Sequence, residues 1–121
     1  MSSVKLRTTD AQYRVRFDAE GIEQIVQSTS SESCMRIDWG QIAAIYAYKR
    51  DCFSVDQIRI LIGSTDHERC IEVTEDDEGY YDLIATLPKN LAGFPEPDDW
   101  WKNVALPPFS VNFTRLYERN V

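Results

Sequence analysis

His67 and Cys70 are the residue pair in this sequence most suited to covalent chemistry, a single imidazole with a thiol three positions later. Such a couple becomes a nucleophile when a third group orients the base and backbone N–H groups receive the oxyanion. Here the pair sits in and just after the turn Gly63–Glu68, with no orienting group or oxyanion donor beside it. Metal binding is equally poorly supplied, because Cys34, Cys52 and Cys70 stand on different segments, outside any CxxC pair. The run Thr74-Glu75-Asp76-Asp77-Glu78-Gly79 resembles a calcium loop by letters. Aligning Gly79 with the required glycine, however, puts Thr74 and Ala85 at the end positions, where ligands are needed. The triplet Asn112-Phe113-Thr114 fits a glycosylation acceptor but follows no secretory signal. No catalytic, cofactor-binding or metal-ligating residue is therefore assigned, and no cofactor is expected.

Charge carries more information. The chain has 121 residues and a formal net charge of -7, which argues against nucleic acid and anionic membranes, since both are recognised by clustered Lys and Arg. Between Asp66 and Glu78 seven carboxylates face Arg69 alone. A helix start near Asp77 needs one of them as a cap, and each first-turn charge adds only about 0.3–1 kcal/mol. The remainder reads either as a solvated edge that maintains solubility or as a docking patch for a basic protein. Glu72, Glu75, Asp76 and Asp77 are its candidate partner-binding residues. Trp100 and Trp101 are added to them, because neighbours on a helical turn point about 100° apart and do not easily enter one core together. The alternative to a protein-interaction role is a small-ligand-binding protein or small enzyme, with a pocket between the sheet and the Trp100-Trp101 segment.

The elements that must position these residues follow from periodicity. Tyr13, Val15 and Phe17 alternate with Arg14 and Arg16, predicting a first strand with one buried face. Asp18–Gly21 is a turn with Gly21 in a left-handed position, and Ile22–Gln27 is a second strand. After the polar loop Ser28–Ser33, Met35, Ile37 and Trp39 alternate with Arg36 and Asp38. Gly40-Gln41 then turns the chain into Ile42–Lys49, so these two strands are expected to pair at the centre of the sheet, with Trp39 as a core anchor. Gln57–Ile62 and the strand of Ile71 and Val73 complete six, with Cys70, Glu72 and Thr74 on the outer side of the last. Short links between sequential strands predict an antiparallel meander, curled into a roll. From Tyr80 the period changes: Tyr80, Leu83, Ile84, Leu87 and Leu91 share one helix face, entered through the acids Asp76–Glu78 and disturbed by Pro88. Asp98 or Asp99 caps a short helical turn carrying the tryptophans, and Phe109, Val111 and Phe113 suggest a last extended piece.

The reading is thus an α+β single domain over 1–121, with a loose N-terminus (1–11), an antiparallel sheet (12–75), one main helix (76–92) and an irregular covering tail rich in Pro and Trp (93–121). Without a signal-length apolar run or about 18 consecutive apolar residues, and with an odd set of thiols expected to be buried or half-buried, it is read as a cytoplasmic protein. The pattern Trp39-x-x-Ile42-x-x-Ile45-x-Ala47-x-Lys49-x-Asp51, followed by an acidic turn and one amphipathic helix, resembles small bacterial proteins with a pleckstrin-homology-like arrangement. The resemblance spans Met35–Leu91 and implies a bent antiparallel sheet closed by a helix; it implies no activity. About 30 residues follow the helix here, a departure from that pattern. Phosphoinositide sites in that superfamily resemble a Lys, a spacer and Arg-x-Arg. Lys5, Arg14 and Arg16 do not supply it, because Lys5 lies in the loose end and both arginines face outward.

Overall fold

A computed structural model of the chain describes residues 11–52, 55–105 and 112–119, with side chains for all of these but 51, 52, 55 and 56. The strands are β1 (Gln12–Phe17), β2 (Gly21–Gln27), β3 (Glu32–Asp38), β4 (Ile42–Cys52), β5 (Val55–Ser64), β6 (Cys70–Thr74) and β7 (Thr114–Glu118). Between β6 and β7 lie the helices α1 (Tyr80–Asn90) and α2 (Pro97–Ala105). The α+β class and the antiparallel pairing agree with the sequence reading.

The expected central pair does not form. β3 pairs with β2 and β4 pairs with β5, so the strands make a three-stranded sheet, β1-β2-β3, and a four-stranded one, β6-β5-β4-β7. A single 3₁₀ turn, Trp39–Gln41, carries the chain from the first sheet to the second. Its groups are already committed in a way no hairpin would allow. Trp39 N–H reaches Glu20 O at 2.9 Å, its Nε1 donates to Asp18 O at 2.9 Å, and Arg119 Nη2 donates to Trp39 O at 2.8 Å. Trp39 is buried in the core, as its strand face predicts. Gly21 is required by proximity, since a Cβ there would lie 2.5 Å from Ile37 O; its backbone is not left-handed, contrary to expectation.

Buried side chains of both sheets and both helices form one core. On β4 and β5 the pairs Ile45↔Ile62, Ala47↔Ile60 and Lys49↔Ile58 face it, and each fully buried Ile contributes roughly 1.5–3 kcal/mol. The opposite face carries Tyr46↔Leu61 and Tyr48↔Arg59. Lys49, although on the apolar face, is buried because its Nζ donates to Ala105 O at 2.7 Å. That places a cation at the carbonyl end of α2, where the helix dipole favours it.

The tail is more regular than expected. Pro97 opens α2, a nine-residue helix, and β7 joins the sheet beside β4 with pairs such as Ala44↔Glu118 and Tyr46↔Arg115. The last strand therefore begins one residue after Phe113. Phe113 itself is 58% exposed, and positions 109 and 111 lie outside the described residues, as do residues 1–10, where a loose end was expected. α1 begins at Tyr80 rather than at 76. Its N-cap is Gly79 (φ 91°), with no side-chain cap bond, because Asp77 is used elsewhere. The two described cysteines whose side chains are seen, Cys34 and Cys70, are exposed and unpaired, whereas burial was expected. A polar loop before one and an edge strand for the other leave them uncovered.

Candidate partner-binding surface

The acidic turn between β6 and α1 is built by its own carboxylates. Asp77 receives the Thr74 N–H (3.0 Å) and the Thr74 hydroxyl (3.0 Å), closing the turn at the end of β6. Glu75 accepts the Ile58 N–H at 2.9 Å, and Asp76 accepts from Gln57 Nε2 at 2.5 Å. The run thus fastens the turn to β5. Its charges nonetheless remain outward: Asp76, Glu78 and Asp82 are exposed, and Glu75 and Asp77 are half-buried. An open groove of about 470 Å³ is lined by residues 75–82, five of them acidic. Arg14 Nε approaches Glu78 at 3.7 Å, with both side chains largely exposed, a geometry that contributes little. Tyr81 stands in this groove at 70% exposure. It meets Tyr80 edge-on, with ring centroids 5.0 Å apart. Tyr80 is buried, and burial with the nearby Glu75 charge pushes its phenol upward. Sequence reasoning missed Tyr81 as a surface residue; the signal was its position one step off the Tyr80 helix face.

Glu72 does not belong to this surface. It is 8% exposed, and it is the carboxylate of a buried ion pair with Arg59 (Nη1 to Oε1, 2.8 Å). Tyr48 donates its hydroxyl to the other oxygen at 2.5 Å, and Arg59 Nε donates to Gln57 Oε1 at 3.0 Å. Burial, then the bond to Glu72, holds the Tyr48 phenol at about 12. It therefore stays protonated in the neutral range, a donor and not a nucleophile. The register explains the pairing: Tyr48, Arg59 and Thr74 lie in one row across β4, β5 and β6, with Glu72 two residues away on the same face. Alternation alone assigned Glu72 to an outer face, because it could not reveal that Arg59 waits on that face.

The tryptophans separate as adjacent helical residues must. Trp100 is 3% exposed within the core, and its Nε1 has no hydrogen-bond partner among the described residues; Trp101 is 50% exposed. They lie on α2, which packs against β4 and β7, whereas α1 packs against β1. A second open groove, of about 420 Å³, runs between β1 and α1. Neither groove is lined by Trp100 or Trp101, so neither is the pocket anticipated between sheet and tail. Phe113 rests on Tyr46 and Tyr48, at centroid distances of 5.0 and 5.9 Å.

Comparison with protein-family models, with curated proteins and with solved structures finds no match to this chain. No described helix is long and apolar enough to cross a membrane.

Proposed function

We propose that the protein is a non-catalytic interaction module that binds a basic protein partner through the acidic turn, an immunity-type protein against a basic toxin being one concrete form. The observation that carries this reading is Tyr81, an aromatic side chain 70% exposed in a groove it shares with five carboxylates. A rigid aromatic gives contact area at low entropy cost, and a ring of like charge steers an opposite partner while excluding wrong ones. Asp76, Glu78, Tyr81 and Asp82 are the contact residues of this proposal, with Glu75 and Asp77 supplying charge from behind. The succession of antiparallel sheets and an amphipathic helix is compatible with the pleckstrin-homology-like arrangement, which we retain as part of the proposal. A bacterial, cytoplasmic setting belongs to it on the same footing.

The test is association kinetics with a basic partner recovered from the source cells, for the native chain and for Asp76→Asn/Glu78→Gln/Asp82→Asn. The triple variant should keep its melting temperature within a few degrees and associate at least tenfold more slowly at low salt, the gap narrowing as salt rises. Tyr81→Ala should instead speed dissociation. Equal association rates for the two chains at low salt would reduce the turn to a solubility device.

A further inference from the structure

The groove between β1 and α1 has an open strand edge as one wall. In the β1–β2 hairpin, Asp18 N–H bonds Gly21 O at 3.0 Å, and the register continues through Phe17↔Ile22, Arg16↔Glu23 and Val15↔Gln24. Antiparallel ladders alternate bonded and non-bonded pairs, so Val15 and Phe17 direct their N–H and C=O groups away from β2. Val15 N–H is met by Glu78 O at 2.9 Å, part of a parallel bridge between Arg14 and Glu78. The chain then leaves the edge at Gly79 and enters α1. Among the described residues nothing takes over at Phe17, whose outward N–H and C=O have no partner. The groove lies beside them, lined by Val15, Phe17, Gly79, Asp82, Ala85 and Thr86. Lys89 marks its far end. Arg16 also borders it, but its Nε is held by Glu23 at 2.6 Å.

We infer that this groove receives an extended segment of the partner by strand addition at Phe17, with a basic side chain of that segment directed to Asp82 and the acidic turn. The inference rests on the reading of the acidic turn as the docking site and says how the partner presents itself there. Unpaired main-chain groups at a strand edge call for an extended backbone, because only that conformation offers a donor and an acceptor at matching spacing. Glu78 already uses the neighbouring position in this way. The charge follows from continuity, since Gly79 and Asp82 line both grooves and a segment lying on β1 leads directly into the five carboxylates. The small side chain of Ala85, exposed on α1, leaves the room the segment needs. Lys89, seven residues beyond Asp82, lies about 10 Å along the helix and sets a polarity: basic at the Asp82 end, neutral or acidic at the other.

Titration of the nitrogen-15-labelled protein with the blocked hexapeptide Thr-Lys-Val-Lys-Val-Thr tests this. The amide resonances of Phe17, Ala85 and Thr86 should shift together, and exchange of the Phe17 amide should slow at least tenfold at saturation. Methylating alternate peptide nitrogens, or replacing both lysines by glutamate, should weaken binding at least tenfold. Ala85→Arg, which fills the groove from an exposed position, should do the same while leaving the melting temperature in place. Shifts confined to residues 75–81 would overturn strand addition and leave the proposed docking turn standing. No shift at millimolar peptide would overturn both. Phe17 shifts that depend on protein concentration without peptide would overturn the inference in favour of a second copy of the chain.

Discussion

At the residue scale, the Glu72 carboxylate is the side chain whose role differs most from its appearance. With Arg59 it forms an ion pair buried on both sides, and such pairs are costly to break from one end because the remaining charge keeps its desolvation penalty. Glu72→Ala should destabilise the fold by about 3–5 kcal/mol, whereas Tyr48→Phe, which removes one donor, should cost about 1 kcal/mol. Replacing both charges, as Arg59→Met/Glu72→Met, should recover most of the loss. Urea unfolding of the three variants checks this. A double variant no more stable than Glu72→Ala would show that the pair does more than satisfy itself.

At the element scale, α1 enters beside β1 through a backbone position that only glycine fits. Gly79 combines φ of 91° with a site where a Cβ would lie 2.0 Å from Val15 O. A side chain there meets both a disfavoured conformation and a backbone atom that cannot move without breaking the Val15–Glu78 bond. Gly79→Ala should therefore cost more than about 2 kcal/mol. Gly40→Ala, with nothing within 4 Å of its Cβ, should stay within about 0.5 kcal/mol. Thermal unfolding distinguishes them, and equal midpoints would mean that α1 does not seat on β1 as described. The proposed strand-addition groove depends on that seat, so partner binding should fall with Gly79→Ala even where the chain remains folded.

At the scale of the whole molecule, the two sheets are tied by a line of polar contacts from one hairpin to another. Asp18 receives Arg36 Nη2 at 2.6 Å, Arg36 O receives Arg69 Nη1 at 2.7 Å, and Arg69 Nη2 reaches Asp66 at 3.0 Å. The Arg36 bond, then the Glu20 and Gly21 N–H groups, lower the Asp18 carboxyl to about 2. The Ser64 hydroxyl, then the Glu68 N–H and Arg69, lower Asp66 to about 2. A carboxyl more acidic when folded than its ordinary value of about 3.9 stabilises the fold above that value. The contribution fades as pH falls from about 4 towards 2, because the unfolded chain binds the proton first. Stability should thus drop through that window, and Asp18→Asn/Asp66→Asn should make the drop shallower. Denaturant midpoints between pH 5 and pH 2 measure it; identical slopes would exclude these two groups as its source.

The sequence by itself determined what local periodicity governs. The alternation of Val15 and Phe17, the Ile58-Ile60-Ile62 face and the spacing from Tyr80 to Leu91 each name an element and its buried side, because side-chain direction repeats every two residues in a strand and every 3.6 in a helix. Most of the acidic run was legible as exposed charge, and the separation of Trp100 from Trp101 followed from helical geometry. Sequential pairing of β1 with β2, β2 with β3, β4 with β5 and β5 with β6 follows the expected meander; tertiary structure alone decided the break between β3 and β4 and the place of β7. Gly40-Gln41 looks like a hairpin corner, yet Trp39 is held by Glu20, Asp18 and Arg119, residues far away in sequence, and so β3 and β4 enter different sheets. β7 entered beside β4 for a like reason, with Arg119 donating to Ile42 O at 2.8 Å across 77 positions. The candidate site divides along the same line. Glu72 left it because Arg59 and Tyr48 arrive on its face only through strand register. Tyr81 entered it because α1 seats on β1 at Gly79, a contact between segments that no local pattern records.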